Sequence, residues 1–299
     1  MYPVADRFSR VAPFASFAVL ASILAACGSD SPGPGAAGRT PRLDHVIVVI
    51  MENRNYGDVR SEPYTASLIA SGTLLSNSHA VTHPSQPNYL ALWSGSTQGV
   101  DTNDCPAPGS PFTTENLGHA VEAAGLTWRA YSEDLPEPGS SACAADADSY
   151  TRKHNPWTNW SNLNHDFERP YSDLARDIAN RRLPDLAFVI PNNCHNTHDC
   201  GVVTGDDWLS RNLPAMIQAV GSRGLVILTY DEDDDGSNHI LTVFAGGSVK
   251  SGLVQDQNVT HYTILRTITD ALGLRPIGRA ASEPPMVGIW HSRSVTGNE

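Results

Sequence analysis

His45-Val46-Ile47-Val48-Val49-Ile50 is a continuous, mostly β-branched run, bounded by Asp44 and Met51. A run of this length with no polar alternation reads as a central strand buried on both faces. Residues 186–190 and 225–230 repeat the pattern, and 126–131 and a shorter 239–245 read as further strands. Helical stretches fall between them. One spans 64–71 and ends at Gly72. Another spans 115–124 and stops at Gly125, and a third covers 171–182. A fourth, 206–220, opens on acidic residues at its positive end and closes at Gly221. The last, 261–272, ends at Gly273. Strands alternating with helices predict an α/β fold with a mainly parallel central sheet and helices on both faces. In such sheets ligands gather beyond the carboxyl ends of the strands.

That rule selects residues. Glu52 and Asn53 follow the first strand directly. Asp231 and Glu232 follow the strand at 225–230. Residues 195–199 lie a few positions past the strand at 186–190. Each corner could be a plain solvated loop. Five acidic side chains within 231–235 repel one another, however, and a bound cation relieves this. The spacing of Asp231, Asp233, Asp235 and Gly236 imitates the opening of an EF-hand. Its twelfth position is Thr242, where a bidentate Glu is needed, so that reading is rejected. Ser85 stands just before Pro87 and a run that can be helical as far as Gly95. A hydroxyl there faces unpaired N–H groups and the positive end of a dipole, a ready place for a phosphate. The plain alternative is a serine that only caps its helix.

The chain has 299 residues, 40% hydrophobic, with net charge −12 and pI near 5.3. Its basic residues form no stripe interleaved with aromatics, so nucleic acid is not an expected partner. Residues 1–26 read as a signal peptide: Arg7 and Arg10 precede an apolar stretch at 14–26 that is short for a membrane span. Leu24-Ala25-Ala26-Cys27 resembles the lipobox of bacterial lipoproteins. It implies a lipid on Cys27 and anchoring at the periplasmic or outer cell face. Gly28 after Cys27 points to the outer membrane; a plain secreted protein is the alternative. The stretch from Cys27 to residue 41 is rich in Gly, Pro and Ser and reads as a flexible tether. Residues 42–299 suit one catalytic domain. With Cys27 set aside, Cys105, Cys143, Cys194 and Cys200 make an even set, as in exported disulfide proteins. Proximity pairs Cys194 with Cys200 and leaves Cys105 for Cys143. A zinc site at 194–200 is the competing reading.

Eight segments in order carry a family resemblance: HVIVVIMENR (45–54), THPSQPNYLAL (82–92), YSEDLP (131–136), RKHNPW (152–157), VIPN (189–192) with His198-Asp199, GDDWL (205–209), TYDEDD (229–234) and HYTILRTITDALGL (261–274). The chain resembles the phosphoesterase family of exported acid phosphatases and phospholipases C, whose fold is alkaline-phosphatase-like. Within it, the short secreted acid phosphatases assigned as phosphatidylinositol-3-phosphatases are the nearest type. The resemblance implies that Glu52, Asn53, Asp231 and Glu232 bind a metal, and that Ser85 is the nucleophile and also touches it. In the phosphodiesterase cousins an Asn in a Gly-apolar-x-x-Asn segment binds phosphoryl oxygens, which makes Asn103 of Gly99-Val100-Asp101-Thr102-Asn103 a candidate. His198 matches the family's Asn-Asp-x-His-Asp motif, although His195 and Asn196 stand where Asn and Asp are usual.

The implied enzyme is a metal-dependent acid phosphatase acting on phosphate monoesters, phosphoinositides included, through a phosphoserine. His198, with His83 and His261 next, would protonate the leaving alcohol. Lys153 and His154 would contact the substrate phosphate. The oxygen-rich ligand set favours one divalent Ca²⁺ or Mg²⁺, with Zn²⁺ as the alternative. The competing functions are a phospholipase C-type phosphodiesterase and a non-catalytic, lipid-anchored cation-binding protein.

Overall fold

Strand β1 (His45–Met51) is buried from Val46 onward, as its unbroken apolar run requires. It lies near the middle of an eight-stranded sheet in the computed structural model, which describes residues 39–145 and 149–291. The signal peptide, the lipidation of Cys27 and nearly all of the tether lie outside the described residues. The remaining strands are β2 (Thr73–Leu75), β3 (Trp128–Ser132), β4 (Glu168–Pro170), β5 (Leu186–Ile190), β6 (Gly224–Tyr230), β7 (Thr242–Ala245) and β8 (Leu253–Gln255). Their order is β8-β2-β7-β6-β1-β5-β3-β4. Strand β7 runs against β6 and β2, while the other neighbours pair in parallel.

Six longer helices are α1 (Pro63–Ser71), α2 (Ser85–Ser94), α3 (Leu117–Ala123), α4 (Ser172–Ala179), α5 (Val202–Val220) and α6 (His261–Leu272). The two-residue period of β1 sends alternate side chains into two separate cores. Val46, Val48 and Ile50 pack with Leu90 and Trp93 of α2, Leu117 of α3 and Ile268 of α6. Ile47, Val49 and Met51 pack with Leu68 of α1, Leu174 of α4 and Leu213 of α5. Helices therefore cover both faces, as the strand–helix alternation predicts.

One predicted boundary is wrong for an instructive reason. Helix α5 begins at Val202, a turn before Asp206. Asp206 is spent on a different helix. Its carboxylate accepts the backbone N–H groups of Tyr64 and Thr65, each at 2.8 Å, and the Thr65 hydroxyl at 2.7 Å. Helix α1 starts at Glu62-Pro63 with no side-chain cap of its own, so Asp206 satisfies its orphan donors. The short strands β2, β4 and β8 have no counterpart in the sequence reading, because three residues are too few to show a period. The disulfides form as paired above, Cys105–Cys143 and Cys194–Cys200, which rules out the zinc site. Among the described residues no helix is long and apolar enough to cross a membrane.

Candidate active site

Strands β1 and β6 pair in parallel with Met51 opposite Tyr230. Glu52 and Asp231 consequently leave the sheet side by side, and the Asp231 N–H donates to Met51 O at 3.1 Å. Helix α2 points its N-terminus at the same edge. Ser85, its first residue, makes no cap bond. Its Oγ donates instead to Glu232 Oε1 at 2.9 Å and lies 3.5 Å from Glu52 Oε2. Asn53 Nδ2 donates to the same Glu232 oxygen at 2.9 Å. Three segments distant in sequence thus meet at one carboxylate. Glu52, Ser85, Asp231 and Glu232 are each at most 2% exposed.

Five buried oxygens here make no aligned hydrogen bond: Glu52 Oε1 and Glu232 Oε2, which face histidine nitrogens, and Asn53 Oδ1 and both carboxylate oxygens of Asp231. Each such group costs about 1–3 kcal/mol if left unsatisfied. Burial pushes the Asp231 carboxyl well above its ordinary pKa, and the Glu52 charge adds to this. Burial also raises Glu232, although its bond from Ser85 opposes the shift. Burial would raise Glu52 as well, but the His154 charge overcomes it and holds Glu52 below the usual carboxylate range. These carboxyls cannot all ionise together without a counter-charge. A divalent cation with a preference for oxygen fits that need. Among the described residues no three His, Cys, Asp or Glu side chains are already gathered as a ligand shell. The candidate oxygen set relies on Asn53 and Ser85 too.

The histidines divide into distinct roles. His83 sits between two carboxylates, with Nδ1 2.7 Å from Glu232 Oε2 and Nε2 3.2 Å from Asp233 Oδ1. His198 Nε2 lies 3.9 Å from Glu52 Oε2 and 3.2 Å from Lys153 Nζ, while Nδ1 contacts Asp199 Oδ1 at 2.5 Å. The other two expectations need correction. His154 is 1% exposed and stacks on Tyr89. Its Nε2 lies 2.9 Å from Glu52 Oε1, an ion-pair contact without hydrogen-bond alignment. It backs Glu52 from within and is not placed as a substrate contact. His261 is equally buried and donates from Nε2 to the Asp231 carbonyl at 2.6 Å. Burial pulls its pKa down to about 4, so it is neutral and braces the 231 corner; it is not a proton donor.

Asn103 is exposed and stands beside the start of α2. Its Oδ1 accepts the Gln86 N–H at 2.9 Å, using one donor of the helix N-terminus. Gln86 Nε2 in turn holds Thr102 O and Asp104 O at 2.9 and 3.1 Å.

Several positioning residues escaped the sequence reading. Asn88 Oδ1 accepts the Val81 and Thr82 N–H groups, and its Nδ2 donates to Thr82 O and Pro84 O. It pins the loop that delivers His83 and Ser85. An amide at the fourth position of an apolar helix was the available signal. Thr197 Oγ1 donates to Glu52 O at 2.6 Å, and the Glu52 N–H donates to Asn196 O at 2.8 Å. Asn196 Oδ1 accepts the His198 N–H at 2.8 Å, so the position that departs from the family motif still shapes this loop. Glu133 anchors the loop from below, accepting from the Asn192 N–H, Trp208 Nε1 and His195 Nδ1. A cleft of about 410 Å³ lined by Arg129, Arg169, Arg176 and Arg182 shares no residue with this site. Three of those arginines are paired with Asp173 or Asp177.

Comparison with known proteins gives a consistent result. The model described as the Phosphoesterase family matches residues 58–275. A phosphatidylinositol-3-phosphatase of Mycobacterium tuberculosis is 39% identical over 276 residues, covering 90% of this chain and 91% of that protein. An acid phosphatase of Aspergillus fumigatus is 30% identical over 248 residues, covering 77% of this chain but only 55% of the relative's length. Among solved structures, a Vibrio parahaemolyticus protein in the alkaline phosphatase superfamily superposes with TM-score 0.60 at 13% identity, covering 84% of this chain and 74% of that one. That likeness shows the fold.

Proposed function

Because this chain belongs to the phosphoesterase family, and is on that ground a hydrolase of phosphoric esters, we propose that it is a cation-dependent phosphomonoesterase working through Ser85. The observation that carries this reading is the Ser85 hydroxyl, aimed from a helix N-terminus at Glu232 beside buried oxygens of Asn53 and Asp231 that make no hydrogen bond. Glu52, Asn53, Ser85, Asp231 and Glu232 would hold one divalent cation, Ca²⁺ or Mg²⁺ by donor chemistry. Once bound, the ion supplies neutralisation of phosphoryl charge and a lower pKa for the serine hydroxyl.

Ser85 Oγ bonds to phosphorus while the ester P–O bond breaks, and the Ser85 proton passes to Glu232 Oε1, its hydrogen-bond acceptor. The departing alkoxide takes a proton from His198. Both nitrogens of His83 face carboxylates within 3.2 Å, while the carboxylate nearest His198 Nε2 is 3.9 Å away, and on that ground His198 is assigned the donor role. Water then attacks the phosphoserine and releases phosphate and the free hydroxyl. Asn103, fixed by Gln86, offers its Nδ2 to a phosphoryl oxygen. Ser85 is 1% exposed, so substrate entry requires a neighbouring side chain to move. His83 and His198, 39% and 32% exposed, are the mobile candidates.

The mycobacterial relative supports phosphoinositides as one substrate class. Two disulfides support a place outside the reducing cytoplasm, in the periplasm or at the cell surface. The test is Ser85→Ala with p-nitrophenyl phosphate. Turnover should fall by roughly 10³-fold or more, with divalent-ion binding retained. Wild-type protein inactive with every divalent ion would establish the non-catalytic cation-binding reading instead.

A further inference from the structure

Lys153 is the one residue whose surroundings the reaction above leaves unexplained. It lies on a helical turn, Arg152–His154, that packs against α2. Glu52, Asp231, Glu232 and Asp233 crowd the same edge, and the Lys153 charge is felt at Glu52. Yet among the described residues no carboxylate lies within ion-pairing distance of Lys153. Its side chain donates to His198 Nε2 at 3.2 Å. An ammonium has donors only, so Nε2 is the acceptor of this bond. A cation held on a neutral imidazole beside an anionic site is held weakly and is free to turn to a stronger acceptor.

We propose that Lys153 is the specificity-determining residue that selects phosphate monoesters over diesters. This deepens the hydrolase reading and rests on it. A monoester presents three non-bridging oxygens and, above its second pKa of about 6, two negative charges. A diester presents two such oxygens and one charge. The cation and Asn103 serve the oxygens both esters share. Lys153 turns from His198 to the third oxygen, which only the monoester has. A diester leaves Lys153 on His198, so its charge goes unused.

The experiment compares Lys153→Met and Lys153→Arg with wild type at about pH 7, where the monoester is dianionic. Three esters are used: p-nitrophenyl phosphate, bis(p-nitrophenyl) phosphate and glycerol phosphate. Inhibition by inorganic phosphate is measured alongside. Lys153→Met should lower kcat/KM for both monoesters roughly 100-fold, in line with loss of one fixed donor to the transition state. It should change the diester less than about 10-fold and weaken inorganic phosphate in parallel with the monoesters. Lys153→Arg, which keeps the charge, should retain most of the preference. Equal losses on all three esters, or unchanged phosphate inhibition, would overturn the proposal. So would a loss confined to glycerol phosphate, which would make Lys153 a proton source for poor leaving groups. A wild type inactive on every ester would mark failure of the hydrolase reading itself.

Discussion

At Asp231 both carboxylate oxygens are buried and partnerless, and burial with the Glu52 charge raises its pKa. On the proposed reading a bound cation relieves this cluster. Asp231→Asn should raise the metal-free Tm, because it removes one like charge, and should abolish the Tm gain on adding Mg²⁺ or Ca²⁺. Thermal unfolding with and without EDTA checks both signs. A variant that still gains stability from the ion would show that Asp231 is not a ligand. The corners at 52–53 and 231–232 and the helix start at Ser85 were legible in the sequence because each follows a strand end or opens a helix. His154 and His261 were misjudged because sequence spacing carries no record of burial, and both prove to be interior braces for the 52 and 231 corners.

Among elements, the 194–200 loop has no regular structure and depends on its neighbours. Gly205 of α5 makes room for it: a Cβ there would stand 2.2 Å from Thr197 Cγ2 and 3.0 Å from Met51 Cε. Gly205→Ala should push Thr197 off the Glu52 carbonyl, destabilise the fold by about 1–3 kcal/mol, and lower kcat. Adding Thr197→Ser deletes the clashing methyl and keeps the hydroxyl, so the double variant should recover most of both losses. Denaturant unfolding and turnover of the two variants test this; no recovery would place the damage elsewhere. The sequence reading found the strands and helices flanking the loop by period and Gly stops. It missed the start of α5 because Asp206 serves α1 across space, a contact that no local signal encodes. The turn carrying Lys153 was likewise invisible, being only three residues long.

Across the whole molecule buried groups set opposing pH dependences, and one pair favours the acid range. His165 Nδ1 lies 2.5 Å from Glu168 Oε1. The bond to Glu168 raises the His165 pKa above 6.5, and burial raises Glu168 above 4.5. Both groups hold protons more tightly folded than unfolded. The His165 contribution is therefore complete below about 6.5 and fades as pH climbs through its raised folded value, and the Glu168 contribution fades in the same direction. Tm of wild type and of His165→Gln is compared at about pH 5.5 and about pH 8.5. The gap between wild type and His165→Gln should be wider at the acidic end. Equal gaps at both pH values would contradict the linkage. The layered architecture behind this stability was readable from strand–helix alternation and paired cysteines. The antiparallel β7 was not, because strand direction depends on the path of the 231–241 loop and not on composition.

The central claim is that Ser85 takes the phosphoryl group at an edge completed by a divalent cation. Acid quench during turnover of p-nitrophenyl phosphate, followed by peptide mass spectrometry, measures this directly. The account predicts phosphate on the peptide containing Ser85, and none after treatment with EDTA. Phosphate on another residue, or steady turnover with Ser85 never modified, would contradict it.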